Sequence, residues 1–281
     1  LSELWREAAR RLGANPLALA ALLVLAAIAA LTWVGPVLNP NPFDAVDWAH
    51  VAAPPAAAPG HWLGTDRLGR DLFVRTLAGA RISLGLGLLA TTLSLAIGVA
   101  YGAVAGFFGG AVDHLMMRLV EILSGLPLIF FVILLTVSFG RSPVLLFASI
   151  GAVGWLTIAR IVRGFALSLR RREFIEAAVA GGTRSGRIIA RHIVPNVLGP
   201  VIVYATLLVP QMILFESFLS FLGLGIQEPH PSLGALIADG AAEMEIAPWI
   251  LLVPGVLLAV LLLCFNMLGD ALRDALDVGR A

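Results

Sequence analysis

Apolar residues in this sequence fall in long blocks of about 20 residues, and that pattern limits the fold more than any motif does. Hydrophobic residues make up 59% of the 281-residue chain and charged residues 13%. A water-soluble domain carries roughly 25% charge and scatters its apolar residues at helix or strand period. Six blocks are long enough to cross about 30 Å of hydrocarbon: 16–37, 82–105, 119–139, 144–161, 198–222 and 249–268. The expected fold is therefore all-α, an integral membrane protein with six transmembrane helices. The first block has a rival reading as a secretory signal with a cleavage region at 27–30. Its apolar run exceeds the usual signal core of roughly 7–15 residues, which favours a span. The chain opens on Leu1 rather than methionine, so its natural N-terminus stays open.

All 19 basic residues are arginine, and their placement orients the bundle. With both termini in the cytoplasm, fourteen lie on inner segments and five (Arg67, Arg70, Arg75, Arg81 and Arg141) on outer ones. Basic residues concentrate on the cytoplasmic side of short loops, so the chain reads as N-in and C-in. An even number of spans gives the same result. The expected organisation is an N-terminal cytoplasmic segment with the first span (1–38), an extracytoplasmic loop (39–80) and a five-span core (81–281).

Four connecting or packing features stand out. The outer loop carries Gly64-Thr65-Asp66-Arg67-Leu68-Gly69-Arg70-Asp71, which reads as a capped turn entering a short interfacial helix. The second span places Ala90, Ser94, Gly98, Gly102 and Gly106 four residues apart on one face, a ridge that lets another helix approach closely. Whether that neighbour belongs to this chain or to a partner is left open by spacing alone. The segment 163–197 is too polar for the bilayer; it predicts one short helix ending at Gly181-Gly182 and a second, 185–193, ended by Pro195-Asn196. Two short helices on a basic inner loop suit docking to a soluble partner. The second outer loop, 223–248, is acidic and broken by proline and glycine, which reads equally as a solvated connector or a contact for an external protein.

A P-loop requires a lysine to reach the β/γ-phosphates, and this chain has none. The string Gly85-Leu86-Gly87 lies inside a span rather than after a strand, so it is no dinucleotide site. Histidines 50, 61, 114, 192 and 230 show no metal-ligand spacing, and the single Cys264 permits no internal disulfide. No enzyme activity, metal or cofactor in this chain is expected. A net charge of +1 gives no reason to expect nucleic acid. Among charges within spans, Glu216 is the best candidate for facing a wet cavity. No chain of carboxylates crosses the membrane, which disfavours the alternative of an ion-coupled secondary transporter.

Glu176-Ala177-Ala178-Val179-Ala180-Gly181-Gly182, followed by His192-Ile193-Val194-Pro195-Asn196, resembles the EAA loop of transmembrane subunits of binding-protein-dependent ABC importers. The family pattern is E-A-A-x-x-x-G followed by I-x-L-P; His192 and Val194 depart from it. Three further stretches resemble the C-type permease of the dipeptide/oligopeptide/nickel group: 63–66 with 69–71, 216–217 with 220–225, and 265–270 with 272–274. The resemblance implies a type I importer permease in the bacterial or archaeal inner membrane. It implies that Glu176, Ala177, Ala178, Gly182, Arg187, His192 and Pro195 couple to a separate ATPase. The implied partners are two ATP-binding subunits carrying ATP and Mg, a second permease giving a heterodimer, and an external binding protein delivering peptides, nickel or other small solutes.

Overall fold

Asn15 opens the first long helix by accepting hydrogen bonds from the Leu17 and Ala18 amides, with Pro16 at a position where a missing N–H costs nothing. In the computed structural model, which describes residues 2–39, 41–140 and 142–276, α1 (Ser2–Ala14) precedes this helix, α2 (Pro16–Leu38). Arg141 and Arg280, both counted in the charge asymmetry, lie outside the described residues. The order continues with α3 (Leu72–Phe108), α4 (Gly110–Ser124), α5 (Leu128–Phe139), α6 (Pro143–Arg170), α7 (Glu173–Ala180) and α8 (Ser185–Ile188). A single π turn (Ile189–Ile193) leads into α9 (Val194–Phe221), followed by α10 (Leu233–Ala242) and α11 (Pro248–Leu276). Among the described residues, five helical segments are long and apolar enough to span a membrane, and the bent α4–α5 pair counts as a sixth when taken as one span.

Several boundaries differ from the sequence expectation, each for a physical reason. Asp71 does not lead into a separate interfacial helix: its Oδ1 accepts from the Val74 amide at 2.9 Å and caps α3 itself. The 37 residues of α3 extend roughly 55 Å, well beyond the hydrocarbon core, so residues 72–80 belong to this rod and not to the outer loop. The third span is not straight; Gly125 and Pro127 interrupt it and its halves meet at 84°. The second cytoplasmic helix does not stop at Pro195. The Val194 amide donates to Ile189 O across the π turn, Asn196 Nδ2 donates to His192 O at 2.7 Å, and the helix runs on into α9. Proline at the second position of α9 sits where the wider turn already leaves the ladder open.

The outer segment 223–248 is no solvated connector either. Ser232 caps α10, whose Leu233, Gly234, Leu236 and Gly240 are buried against α3, α9 and α11. Of the segment's four acidic residues only Asp239 lies on α10; Glu228 precedes the helix and bonds Arg70, and Glu243 and Glu245 follow it.

α3 and α6 form the central seam. A Cβ at Gly98 would lie 2.6 Å from Ile158 Cβ and 2.9 Å from Trp155 O; one at Gly106 would lie 2.6 Å from Ala166 Cβ and 2.7 Å from Arg163 O. At Gly102 it would press on Ala159 O, with Val162 Cβ at 2.8 Å. Ser94 is wholly buried and donates to Gly151 O at 3.0 Å; Ala90 is buried one turn earlier. The helix packed on this small-residue ridge is α6 of the same chain. Backbone contact of this kind gains dispersion energy that lipid tails cannot supply.

Candidate functional site

The inner end of the bundle carries the segment predicted to dock. Ile175 of α7, Ile188 of α8 and Ile193 of the π turn are each buried in the core cluster that also contains Phe107, Val162 and Ala166. Three isoleucines thus pin a short helix pair to the ends of α3 and α6. The turn between α7 and α8 needs Gly182 at φ +73, a left-handed conformation glycine adopts without strain. Arg170 Nη1 donates to Phe108 O at 2.9 Å and ties α6 to the last turn of α3. Arg163 makes a two-point contact with Asp113, 2.6 Å for each pair, which fastens α4 to α6.

Of the residues predicted for coupling, Glu176, Ala177, Gly182 and Arg187 are exposed, while Ala178, His192 and Pro195 are half-buried. All seven occur in one continuous feature. Glu176 also rims a groove of about 540 Å³ between α7 and the ends of α3 and α6, lined by Phe108, Arg170, Val179, Thr183 and Ser185 among others. The sequence reading missed Phe174 and Val179, exposed by 47% and 54% on α7. Large apolar side chains on a polar inner helix are the available signal for them.

Glu216 does not face a cavity. It is 0% exposed, with Ser83 Oγ donating to one carboxylate oxygen at 2.7 Å and Ser220 Oγ to the other at 2.7 Å. Ser83 Oγ also accepts from the Leu233 amide at 3.2 Å, so one acidic side chain joins α3, α9 and the start of α10. The correction follows from α10, which folds back over the outer end of α9 and closes the site from water.

At the outer end, the Gly64–Asp71 stretch forms a buried charge network. Asp66 Oδ1 accepts from the Leu68 and Arg70 amides, and Arg70 Nε donates to Asp66 Oδ2 at 2.7 Å. Arg75 Nε lies 3.3 Å from the same oxygen. Arg70 Nη1 reaches Glu228 at 2.9 Å, linking the two outer loops. Burial disfavours the Arg70 cation, but Asp66 and Glu228 outweigh it and hold its pKa above the ordinary arginine value. Gly69, at φ +74, lies against the Asp47 backbone where a Cβ would strike Asp47 O.

Among the described residues, five long apolar helices and one bent pair, with a short exposed helix pair at the inner end and a polar cap outside, define a multi-pass membrane protein. The model of the family described as "Binding-protein-dependent transport system inner membrane component" matches residues 98–279, and that of the "N-terminal TM domain of oligopeptide transport permease C" matches residues 3–55. The chain belongs to this family of inner-membrane transport components. It is 55% identical over 274 residues to the oligopeptide transport system permease protein OppC of Escherichia coli, covering 98% of this chain and 91% of that protein. The OppC protein of Haemophilus influenzae is 53% identical over 98% and 88% of the two chains. The dipeptide transport system permease protein DppC of Bacillus subtilis is 43% identical over 97% and 85%. Among solved structures, a chain from an inward-facing form of the MetNI methionine ABC transporter superposes with a TM-score of 0.58 at 19% identity, covering 73% of this chain and 96% of that one. The fold is that of a type I ABC importer permease.

Proposed function

We propose that this chain encloses half of a peptide pathway and that the α7–α8 segment plugs into a separate ATP-hydrolysing subunit. The observation that carries the reading is the segment's two-sided build: Ile175, Ile188 and Ile193 lock it to the core while Glu176, Ala177, Gly182 and Arg187 point to solvent. Rigid attachment on one side and polar exposure on the other suit transmission of a displacement from a partner into α3, α6 and α9. An ATPase pair that prefers one arrangement of this segment would shift the bundle's population by that difference in affinity. ATP and Mg would sit on those partners, since a chain without lysine forms no P-loop.

Peptide as the transported class is supported by the names of the relatives, nickel and other small solutes being the alternatives left by the sequence. The remaining partners in this reading are a second, non-identical permease subunit and an external binding protein. The test replaces Glu176→Gln and Gly182→Ala together in the reconstituted importer. Alanine at φ +73 costs about 1 kcal/mol, small against the stability of the chain. Peptide uptake should fall at least tenfold while ATP hydrolysis persists and membrane insertion is unchanged. Undiminished uptake would refute the assignment.

A further inference from the structure

In the outer cap, Asp47 and His50 of one turn meet His61 of the next. Asp47 Oδ2 lies 2.7 Å from His50 Nδ1 and 3.7 Å from His61 Nε2, and one ligand atom from each of the three residues falls within 4.8 Å of the other two. On the far side of its ring, His61 Nδ1 lies 2.8 Å from Asp71 Oδ2. Asp71 is 1% exposed, and its Oδ2 also accepts from Asn39 Nδ2 at 3.1 Å. A buried carboxylate accepts the Nδ1 proton, which leaves the Nε2 lone pair of His61 directed at Asp47 and His50. This carboxylate–imidazole arrangement orients histidine ligands in metal sites and raises their basicity.

The backbone is fixed in the same way. The Thr65 hydroxyl donates to His50 O, Asp47 Oδ1 accepts from the Ala49 amide at 2.9 Å, and Gly69 packs on the Asp47 main chain. Asp47 Oδ2 is thereby kept for the cluster. His61 is 8% exposed, whereas the Asp47 and His50 side chains are each 38% exposed, so the cluster is open on one side only.

We propose that Asp47 Oδ2, His50 Nδ1 and His61 Nε2 form a binding site for a zinc-like divalent cation, with Asp71 orienting His61 and a fourth position open to water. Ligands at about 2.0–2.2 Å from a tetrahedral ion stand roughly 3.4 Å apart. The Asp47–His61 spacing of 3.7 Å is close to that, and the Asp47–His50 pair opens by about 0.7 Å when an ion replaces their shared proton. Two imidazoles with one carboxylate suit zinc and its neighbours and disfavour calcium or magnesium, which take oxygen ligands. The Asp47 and Asp71 carboxylates balance the ion's charge against neutral imidazoles. Because Asp71 caps α3, the ion would brace the loop at 47–50 and the turn at 61 to the outer end of the central rod.

The test is equilibrium dialysis of the purified full chain against Zn²⁺, with metal counted per chain, and Co²⁺ substitution read by its ligand-field absorption. The background comes from a variant lacking His114, His192 and His230. One Zn²⁺ per chain should remain in that variant, and Co²⁺ should give the intense bands of a tetrahedral nitrogen/oxygen site. His61→Ala should weaken binding at least 100-fold, and Asp71→Asn about 10- to 100-fold. His50→Gln lies on the exposed rim and leaves the buried contacts in place, so it keeps the test decisive if His61→Ala fails to fold. Binding that survives His50→Gln, or no stoichiometric Zn²⁺ in the parent chain, would overturn the site and leave a plain histidine–carboxylate hydrogen-bond chain.

Discussion

Gly98→Ala is the sharpest test of the α3–α6 seam. In an open helix this change gains about 0.5–1 kcal/mol, because alanine loses less backbone entropy than glycine. At Gly98 the added carbon would stand 2.6 Å from Ile158 Cβ, 2.7 Å from Ile158 Cγ2 and 2.9 Å from Trp155 O. Carbon–carbon contacts are optimal near 3.5–4.0 Å, so the helices must separate by about 1 Å or distort. Neither a Cβ nor a backbone oxygen can rotate away, and overpacking of this kind costs typically 1–3 kcal/mol. The internal control is Gly164→Ala on α6, exposed, with nothing within 4 Å of its would-be Cβ. Gly98→Ala should be destabilised by about 1–2 kcal/mol net and Gly164→Ala stabilised by up to about 1 kcal/mol. The two variants should thus shift in opposite directions when the purified chain is unfolded by SDS titration in mixed micelles. Equal stability of the two would refute the claim that the ridge is sealed by α6.

Glu216→Ala should destabilise the chain by about 2–5 kcal/mol, since it removes two short hydrogen bonds and opens a void among Ser83, Ser220 and α10. Thermal unfolding of the same preparation would read this, Glu216→Gln should recover part of it, and an alanine variant as stable as the parent would show the carboxylate to be dispensable. At the outer cap, Arg70→Ala should cost about 3–5 kcal/mol because Asp66 loses a buried partner, whereas Glu228→Gln, at a side chain 58% exposed, should cost at most about 1 kcal/mol. Protease cleavage within residues 52–70 would report the difference, and similar cleavage of both variants would contradict the asymmetry.

How legible these features were depended on the range of the interactions that make them. The spans follow from apolar blocks, and the seam follows from small residues every fourth position, both read within a single helix. Asp71 as a cap is likewise local. The short helix pair was visible through Gly181-Gly182, but Pro195 misled, because a π turn is set by how the chain packs and leaves no signature in residue spacing. Glu216 was placed by its distance along α9, which says nothing of α10 returning over it. Arg70 and Glu228 meet across 158 residues, beyond any window in which charge patterning is informative. His50 and His61 come together where Gly69 packs on the Asp47 backbone, a close contact that a list of histidine positions does not reveal.

These pieces join along α3. Its outer end is capped by Asp71 and crossed by the buried Arg75–Asp66 pair, and its inner end holds Arg170 and the α7–α8 segment. Between them the small-residue seam packs it backbone to backbone on α6, a close contact that resists sliding of one helix past the other. α9 is built differently: a π turn at its start and Pro200 and Pro210 inside it leave carbonyls without amide partners, and bending there breaks few existing hydrogen bonds. In the proposed reading, a displacement applied at α7 would reach the outer cap through α3 and α6, while α9, continuous with the same segment through the π turn, would bend. Glu216 stands where the two regimes meet, bonded to Ser83 of the stiff helix and to Ser220 of the compliant one. Its bond to Ser83 ties α3 to α9 within a cluster of serines, and a directional hydrogen bond fixes the register of two helices more narrowly than apolar packing does.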